Sequence, residues 1–295
     1  MMSFNNIKDQ INPYNNKNKA ISKNDVQNIL KKYGVFENIN NLDIYQEAFV
    51  HESYSAPYIK NVIERDGVSI VKQPDGVVAI QKQSYERLEY LGDAVIEIII
   101  SNYLYNRYPM EDEGFLSRLR VGLVNRLALS HLTDILGIGK YLILSKTLDD
   151  KENGRRNESF MEDIFEAFIG AIFTDFNNNH SINNDSYSSA FGLQIAERFL
   201  INLIENETTG IDITDLILNN GNRKGLLVKY FKKIYKTSVS FQTINTEGTG
   251  ADKEITVEAI RDDTKQILGT GSGPDLKQAQ HNSAYNSLKK IGLLK

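Results

Sequence analysis

The sequence of 295 residues contains no cysteine, and its four histidines are scattered along the chain. The absence of cysteine excludes disulfide bonds, thiolate metal ligands and a cysteine nucleophile. The histidines lack the spacing of a zinc site. A metal would therefore bind oxygen ligands, which favours Mg²⁺, with Mn²⁺ as the alternative.

Long apolar segments are also absent. No run approaches the roughly 20 apolar residues that cross a bilayer, and residues 1–19 lack the apolar core of a secretory signal. With 41% hydrophobic and 24% charged residues, the chain has the composition of a globular protein with a buried core. We therefore expect a soluble intracellular protein, located in the cytoplasm and without a membrane partner.

The chain has no overall excess of basic residues, since its formal net charge is −4. The charge is unevenly distributed. Residues 222–295 hold 13 of the 34 Lys and Arg and 7 of the 38 Asp and Glu, a net of +6, which leaves 21 against 31, or −10, for residues 1–221. Because phosphate binding requires a local basic surface, the C-terminal part is the better candidate for binding nucleic acid.

The apolar periodicity divides the chain into segments. Residues 1–22 are rich in Asn and Lys and predict a flexible arm. Residues 23–205 have apolar side chains at three- and four-residue spacing, which predicts one all-helical domain. Within it, residues 56–84 contain two β-branched runs around Pro-Asp-Gly, which predicts an inserted β-hairpin. Residues 206–221 are a polar linker.

After the linker, residues 222–295 change pattern to helix, strand, strand, strand, helix. The predicted strands are VSFQTINT, EITVEAIR and KQILGTGSG, and the last helix is LKQAQHNSAYNSLKKIG. This order predicts a small independent α+β domain.

Acidic residues recur at helical spacing in two of the predicted helices. At 100° per residue, Glu86, Glu89 and Asp93 fall within about 60° of arc on one helix. Asp163 and Glu166 are three residues apart on another. Like charges at this spacing repel one another, and two such helices packed together would converge four or five carboxylates able to hold divalent cations. For any single pair, a solvated helix surface is the simpler interpretation.

Three separated segments resemble the ribonuclease III family, and together with the C-terminal domain they extend over most of residues 23–295. The segment YERLEYLGDAVIE resembles the family signature. It is followed at similar distances by EDEGFLSRLRVGLVNRLAL and MEDIFEAFIGAIFTD. The resemblance implies an all-α ribonuclease III endonuclease domain with the insertion at 56–84.

The resemblance also implies roles for particular acidic residues. The catalytic, metal-binding carboxylates correspond to Glu89, Asp93, Asp163 and Glu166. Glu86 and Glu113 correspond to two further acidic positions, at or near a dimer interface, that assist the site less directly.

Two other residues lie in segments shared with the family. His51, in FVHES, is expected to have a structural role rather than to transfer protons. At Tyr85 bacterial members usually have Asn, so the sequence is closer there to eukaryotic-type members.

The C-terminal domain resembles the double-stranded RNA-binding domain, which recognises the shape of A-form RNA. It departs from the family pattern, because the usual lysines at the start of the last helix are reduced to Lys277. Other basic residues that could contact RNA are Arg223, Lys224 and Lys229. The departures predict that the fold is kept while RNA affinity is weakened or redistributed.

By resemblance, the protein is expected to act as a homodimer that cleaves double-stranded RNA with Mg²⁺, giving 5′-phosphate and 3′-hydroxyl ends. A non-cleaving protein that sequesters duplex RNA is the alternative, and retention of every matched carboxylate argues against it. A third possibility is that the C-terminal domain chiefly recruits proteins.

Overall fold

The computed structural model describes residues 10–151, 154–178, 190–206, 223–248 and 253–292. The chain divides into two compact units, Met1–Ile211 and Asp212–Lys295. The division falls within the segment predicted as a linker, of which residues 207–221 lie outside the described ones.

The first unit is built from helices. In the described residues they are α1 (Lys23–Lys32), α2 (Leu42–Glu47), α3 (Ala56–Asp66), α4 (Glu86–Arg107), α5 (Glu113–Val124), α6 (Arg126–Leu136), α7 (Lys146–Lys151), α8 (Glu158–Asn178) and α9 (Ala190–Ile204). In the same described residues, three short 3₁₀ helices connect them, at Glu52–Tyr54, Gly139–Tyr141 and Gly154–Arg156. The prediction of an all-helical domain is confirmed. No helix of the described part is both long and apolar enough to cross a membrane.

Helix α8 is the centre of this unit and contacts α2, α4, α6 and α9. Its residues Phe165, Ala167, Phe168 and Ile169 are buried. Phe168 packs against the rings of Tyr45, Phe49 and Phe199 at centroid distances of 5.8–6.0 Å. A helix that is apolar on most of its surface can only be stable when it is surrounded in this way.

The insertion at residues 56–84 does not form the predicted β-hairpin, so that prediction is wrong. Its first part is helix α3, which begins after Ser55, where the Ser55 hydroxyl accepts a hydrogen bond from the backbone N–H of Tyr58 (3.4 Å). The helix ends at Gly67, whose φ of +66° suits glycine. A serine cap and a terminal glycine are recognisable in the sequence.

The second part of the insertion contains the two-residue strand β2 (Ser69–Ile70), which pairs in parallel with β1 (Gln10–Ile11). The β-branched residues that suggested a hairpin are Val71, Val77, Val78 and Ile80, and they pack against a small buried cluster that includes Tyr14 and Tyr54. Their pattern reflects burial against the helical domain, because β-branched residues suit any half-buried extended segment.

Residues 10–22 are packed against the rest of the first unit, so the prediction of a flexible arm is wrong for them. Asn18 exchanges two hydrogen bonds with the backbone of Leu144 (2.9 and 3.1 Å). The amide of Asn15 donates to the buried carboxylate of Asp149 (2.7 Å). An Asn-rich segment need not be disordered when its amides find buried partners. Residues 1–9 lie outside the described part.

The second unit has the predicted order, and that prediction is confirmed. It contains α10 (Arg223–Ile234), an antiparallel sheet of β3 (Val239–Glu247), β4 (Glu254–Arg261) and β5 (Ile267–Gly273), and α11 (Leu276–Lys290). Its core includes Leu227, Phe231, Val239, Leu268 and Leu288.

Helix α11 lies directly on strand β5, and glycines make this possible. A Cβ at Gly271 would lie 2.1 Å from the backbone nitrogen of Ser283, and one at Gly269 would lie 2.6 Å from that of Ser287. The GTGSG segment, which lies within β5, is therefore needed for close packing of the helix on the strand.

Candidate active site

The candidate site lies where α4 and α8 touch along their backbones. A Cβ at Gly92 of α4 would lie 1.8 Å from the carbonyl oxygen of Glu166, and a Cβ at Gly170 of α8 would lie 2.2 Å from that of Leu88. Glycine in a helix interior costs about 1 kcal/mol relative to alanine, so a glycine at each contact point indicates a packing requirement. The close approach brings two acidic pairs near each other. Glu89 and Asp93 lie on either side of Gly92 in α4, and Asp163 and Glu166 precede Gly170 in α8.

Four carboxylates lie beside this contact: Glu89 and Asp93 from α4, and Asp163 and Glu166 from α8. Burial raises the pKa of Glu89 to about 7, with further contributions from the negative charges of Asp163 and Glu86. Burial raises the pKa of Glu166 to about 8, and the charges of Asp93, Glu162 and Glu89 add to it. Burial and neighbouring negative charges thus disfavour the ionised forms of Glu89 and Glu166, as expected for like charges in a partly desolvated site.

The four carboxylates form no ion pair with any lysine or arginine in the part of the chain that the structure describes. Their acidic neighbours are paired. Glu97 on α4 lies 3.3 Å from Arg120, and Glu162 on α8 lies 2.9 Å from Arg126. The two arginines are therefore paired with neighbours of the cluster, and the charge of Arg126 only partly opposes the raised pKa of Asp163.

The side chains of the cluster do not form a finished metal cage. Among the described residues, no three acidic or histidine side chains converge closely enough to hold a metal ion as they stand. The donor set itself fits a hard divalent cation, because it consists only of carboxylate oxygens, the ligands that Mg²⁺ and Mn²⁺ prefer.

Asp163 has a neutral partner in Tyr85. The phenol hydroxyl of Tyr85 donates a hydrogen bond to Oδ2 of Asp163 (2.8 Å). Burial raises the pKa of Asp163, and this hydrogen bond partly opposes the effect by stabilising the ionised carboxylate. Burial and the charge of Asp163 hold the pKa of Tyr85 well above its ordinary value. The sequence places these residues 78 positions apart, and no local pattern links them.

The two other predicted acidic residues are placed differently. Glu86 is exposed in the first turn of α4, where the Ser84 hydroxyl donates to it (3.2 Å), and its charge contributes to the raised pKa of Glu89. Glu113 begins α5 and accepts a hydrogen bond from the Ser117 hydroxyl (2.7 Å). It is not among the charges that most raise the pKa of Glu89 or Glu166. The structure thus links Glu86 to Glu89, whereas the supporting role of Glu113 stays a prediction.

Basic side chains of the second unit gather in one open groove of about 600 Å³ between α10 and α11. Three of the four predicted RNA contacts line it, namely Lys224, Lys229 and Lys277, together with Lys232. The fourth, Arg223, lies over the ring of Tyr285, with 4.7 Å between its guanidinium carbon and the ring centroid.

Comparison with known proteins gives the family. The model of the ribonuclease III domain matches residues 86–177, which extend from α4 to α8 and contain all six predicted acidic residues. Ribonuclease 3 of Protochlamydia amoebophila is 34% identical over 211 residues, which are 72% of this chain and 78% of that protein. The chain belongs to the ribonuclease III family.

Other matches to ribonuclease III differ in the share of this chain that they cover. A probable ribonuclease 3 of Acanthamoeba polyphaga mimivirus is 30% identical over 278 residues, 93% of this chain, and the match spans 47% of the length of the viral protein. The crystal structure of the nuclease domain of ribonuclease III from Campylobacter jejuni matches with a TM-score of 0.44 and 23% identity over 64% of this chain and 97% of that one. The family is established by the sequence relatives and not by this structural match.

Proposed function

We propose that this protein is an endoribonuclease that cleaves double-stranded RNA with a divalent cation bound by Glu89, Asp93, Asp163 and Glu166. The observation that carries the proposal is the cluster itself: two helices in backbone contact place the exposed Asp93 beside three partly buried carboxylates, and none of the four forms an ion pair with a described lysine or arginine. Such an arrangement is unfavourable unless a cation neutralises it. Membership of the ribonuclease III family supplies the reaction.

The chemistry follows from the oxygen ligands. One or two Mg²⁺ or Mn²⁺ ions bound there would lower the pKa of an attacking water and stabilise negative charge on the phosphate and the leaving oxygen. The carboxylates of α4 and α8 fix where the scissile phosphate can lie, and Glu86 adds negative charge at the rim. In-line attack by water would leave 5′-phosphate and 3′-hydroxyl ends with short 3′ overhangs.

The basic groove between α10 and α11 is suited to the phosphates of an RNA duplex. Lys277 and Lys224 lie on its two sides, on α11 and α10 respectively. Lysine contacts of this kind bind phosphate irrespective of sequence, so we propose that the second unit contributes affinity for the duplex rather than choice of the cleavage position.

The protein is proposed to act as a homodimer through an exposed apolar stripe of α4. Tyr90, Ile98 and Tyr105 are 83%, 54% and 70% exposed, and at 100° per residue they fall within about 80° of arc. Large apolar side chains aligned on one helix face typically mark an interaction surface. This stripe adjoins the acidic one, so a second copy seated on it would bring its own carboxylates near the first set.

The proposal is tested by incubating the full-length protein with a long RNA duplex and Mg²⁺, with and without a chelator. Glu166→Gln and Asp93→Asn should each reduce cleavage by at least about 10³-fold, because each removes a charged ligand of a group that acts as a unit. The ends of the products should carry 5′-phosphates, as measured by their sensitivity to a 5′-phosphate-dependent exonuclease.

Glu97→Gln is the matched control, since Glu97 lies one turn after Asp93 on the same helix and is paired with Arg120. This variant should cleave within a few-fold of the unaltered protein. Cleavage that survives Glu166→Gln, or RNA binding by the unaltered protein without any cleavage, would contradict the proposal, and the second result would favour the sequestering protein.

A further inference from the structure

Tyr85 occupies a fixed position at the start of α4. Its backbone N–H donates to the carbonyl of Val50 (2.8 Å), and its own carbonyl accepts from the backbone N–H groups of Leu88 (2.8 Å) and Glu89 (2.9 Å). The residue therefore ties the segment before the 3₁₀ helix at Glu52–Tyr54 to the helix that carries Glu89.

The ring of Tyr85 is also held. It is 3% exposed and packs edge-on against the imidazole of His51 at 5.8 Å, which in turn packs against Phe160 of α8 at 4.6 Å. A side chain confined in this way gives up little conformational entropy when it forms a hydrogen bond, because that entropy has already been lost on folding.

The hydroxyl at the end of this ring reaches Oδ2 of Asp163 at 2.8 Å. A phenol at neutral pH donates one hydrogen bond, so it occupies one oxygen of the carboxylate and fixes the plane of the group. This hydrogen bond is made to Oδ2, so Oδ1 is the oxygen through which we expect Asp163 to bind a cation. A phenylalanine at position 85 would fill the same space without this restraint.

We propose that Tyr85 is a positioning residue that orients Asp163 for binding a divalent cation. The inference rests on the proposed function, because it requires that Asp163 be a cation ligand. Partners that hydrogen-bond to metal ligands typically change metal affinity or activity by 10–100-fold when they are removed. The effect should therefore appear in cation affinity first, and in catalysis at saturating cation much less.

The test compares Tyr85→Phe with the unaltered full-length protein in the absence of RNA, using Mn²⁺ as the probe and isothermal titration calorimetry as the measurement. The Kd for Mn²⁺ should rise by about 10-fold or more. In cleavage assays the cation concentration for half-maximal rate should rise by a similar factor, whereas kcat at saturating Mn²⁺ should stay within a few-fold of the original.

Tyr45→Phe is the matched control. Tyr45 is fully buried, and its hydroxyl donates to Oδ2 of Asp175 (3.1 Å), which lies on the same helix α8. Both variants remove one hydrogen bond between a buried tyrosine and an α8 aspartate, so both should lower Tm by similar amounts. Only Tyr85→Phe should weaken Mn²⁺ binding.

Two results would overturn the inference while leaving the proposed function intact: Tyr85→Phe binding Mn²⁺ within twofold of the unaltered protein, or Tyr45→Phe weakening binding to the same extent. If the unaltered protein neither binds Mn²⁺ nor cleaves RNA, both the inference about Tyr85 and the proposed function are contradicted. The measurements on the unaltered protein therefore distinguish failure of the inference from failure of the proposed function.

Discussion

At the scale of single residues, His51 shows how burial decides a role. Its Nδ1 accepts a hydrogen bond from the backbone N–H of Ser53 (3.1 Å), and its ring is enclosed by Tyr85 and Phe160. Burial lowers the pKa of His51 to about 4. The imidazole is therefore neutral at pH 7, which agrees with the structural role expected for it.

This lowered pKa predicts how stability depends on pH. Because the folded-state pKa of His51 lies below its ordinary value of about 6.5, its contribution to the free energy of unfolding is present above pH 6.5 and is lost as the pH falls through 4. His51→Asn keeps an acceptor for the Ser53 N–H without titrating. Between pH 7 and pH 4, the free energy of unfolding of this variant should fall by less than that of the unaltered protein, with a difference of up to about 3 kcal/mol.

Urea unfolding at pH 7, 5.5 and 4 would measure this difference. His131→Asn is the control for exchanging a histidine for asparagine, because His131 is exposed on α6. Parallel pH profiles for His51→Asn and the unaltered protein would show that burial of His51 does not resist protonation.

At the scale of elements, the contact between α4 and α8 depends on Gly92 and Gly170. Gly92→Ala would place a methyl group 1.8 Å from a backbone carbonyl oxygen, and backbone cannot rotate away as a side chain can. We expect a loss of at least about 3 kcal/mol in the free energy of unfolding, at the upper end for overpacked cores, together with loss of cleavage because the two pairs of carboxylates separate.

Gly114→Ala provides the comparison, and both variants would be measured by thermal unfolding and by cleavage of duplex RNA. Gly114 lies in the first turn of α5, and its added Cβ would meet a terminal nitrogen of Arg118 at 3.3 Å and, at the ordinary contact distance of 3.6 Å, Oδ1 of Asp112. The Arg118 side chain is flexible, and alanine favours the helix. Equal stability of the two alanine variants would mean that the backbone contact between α4 and α8 is not tight.

At the scale of the whole molecule, the exposed stripe on α4 predicts the oligomeric state. Ile98→Asp would place a charge at the centre of the proposed interface, where burial without a partner is costly. The variant should sediment as a monomer in analytical ultracentrifugation, whereas the unaltered protein should sediment as a dimer. Cleavage should fall together with dimerisation.

Phe36→Asp is the control for this experiment. Phe36 is 71% exposed and follows α1, away from the stripe in sequence, so its replacement should leave the dimer unchanged. Sedimentation of Ile98→Asp as a dimer would exclude the α4 stripe as the interface.

The division of charge also belongs to the whole molecule. The first unit carries the acidic cluster, and the second gathers lysines from two helices into one groove. Sequence alone indicated this division, because the net charge of residues 222–295 differs in sign from that of the rest. It did not show that Lys224, Lys229 and Lys277 share one groove, since they come from helices separated by three strands.

The sequence by itself determined the features that depend on neighbours three or four residues away: the helical domain, the α-β-β-β-α order and the alignment of Glu89 with Asp93 and of Asp163 with Glu166. Tertiary structure alone decided which groups meet. It paired β2 with β1 instead of forming a hairpin, placed Tyr85 against Asp163, and gave Glu97 and Glu162 arginine partners that the cluster lacks. Periodicity reports which face of an element is buried, whereas partners are chosen by packing between distant segments, which no local pattern encodes.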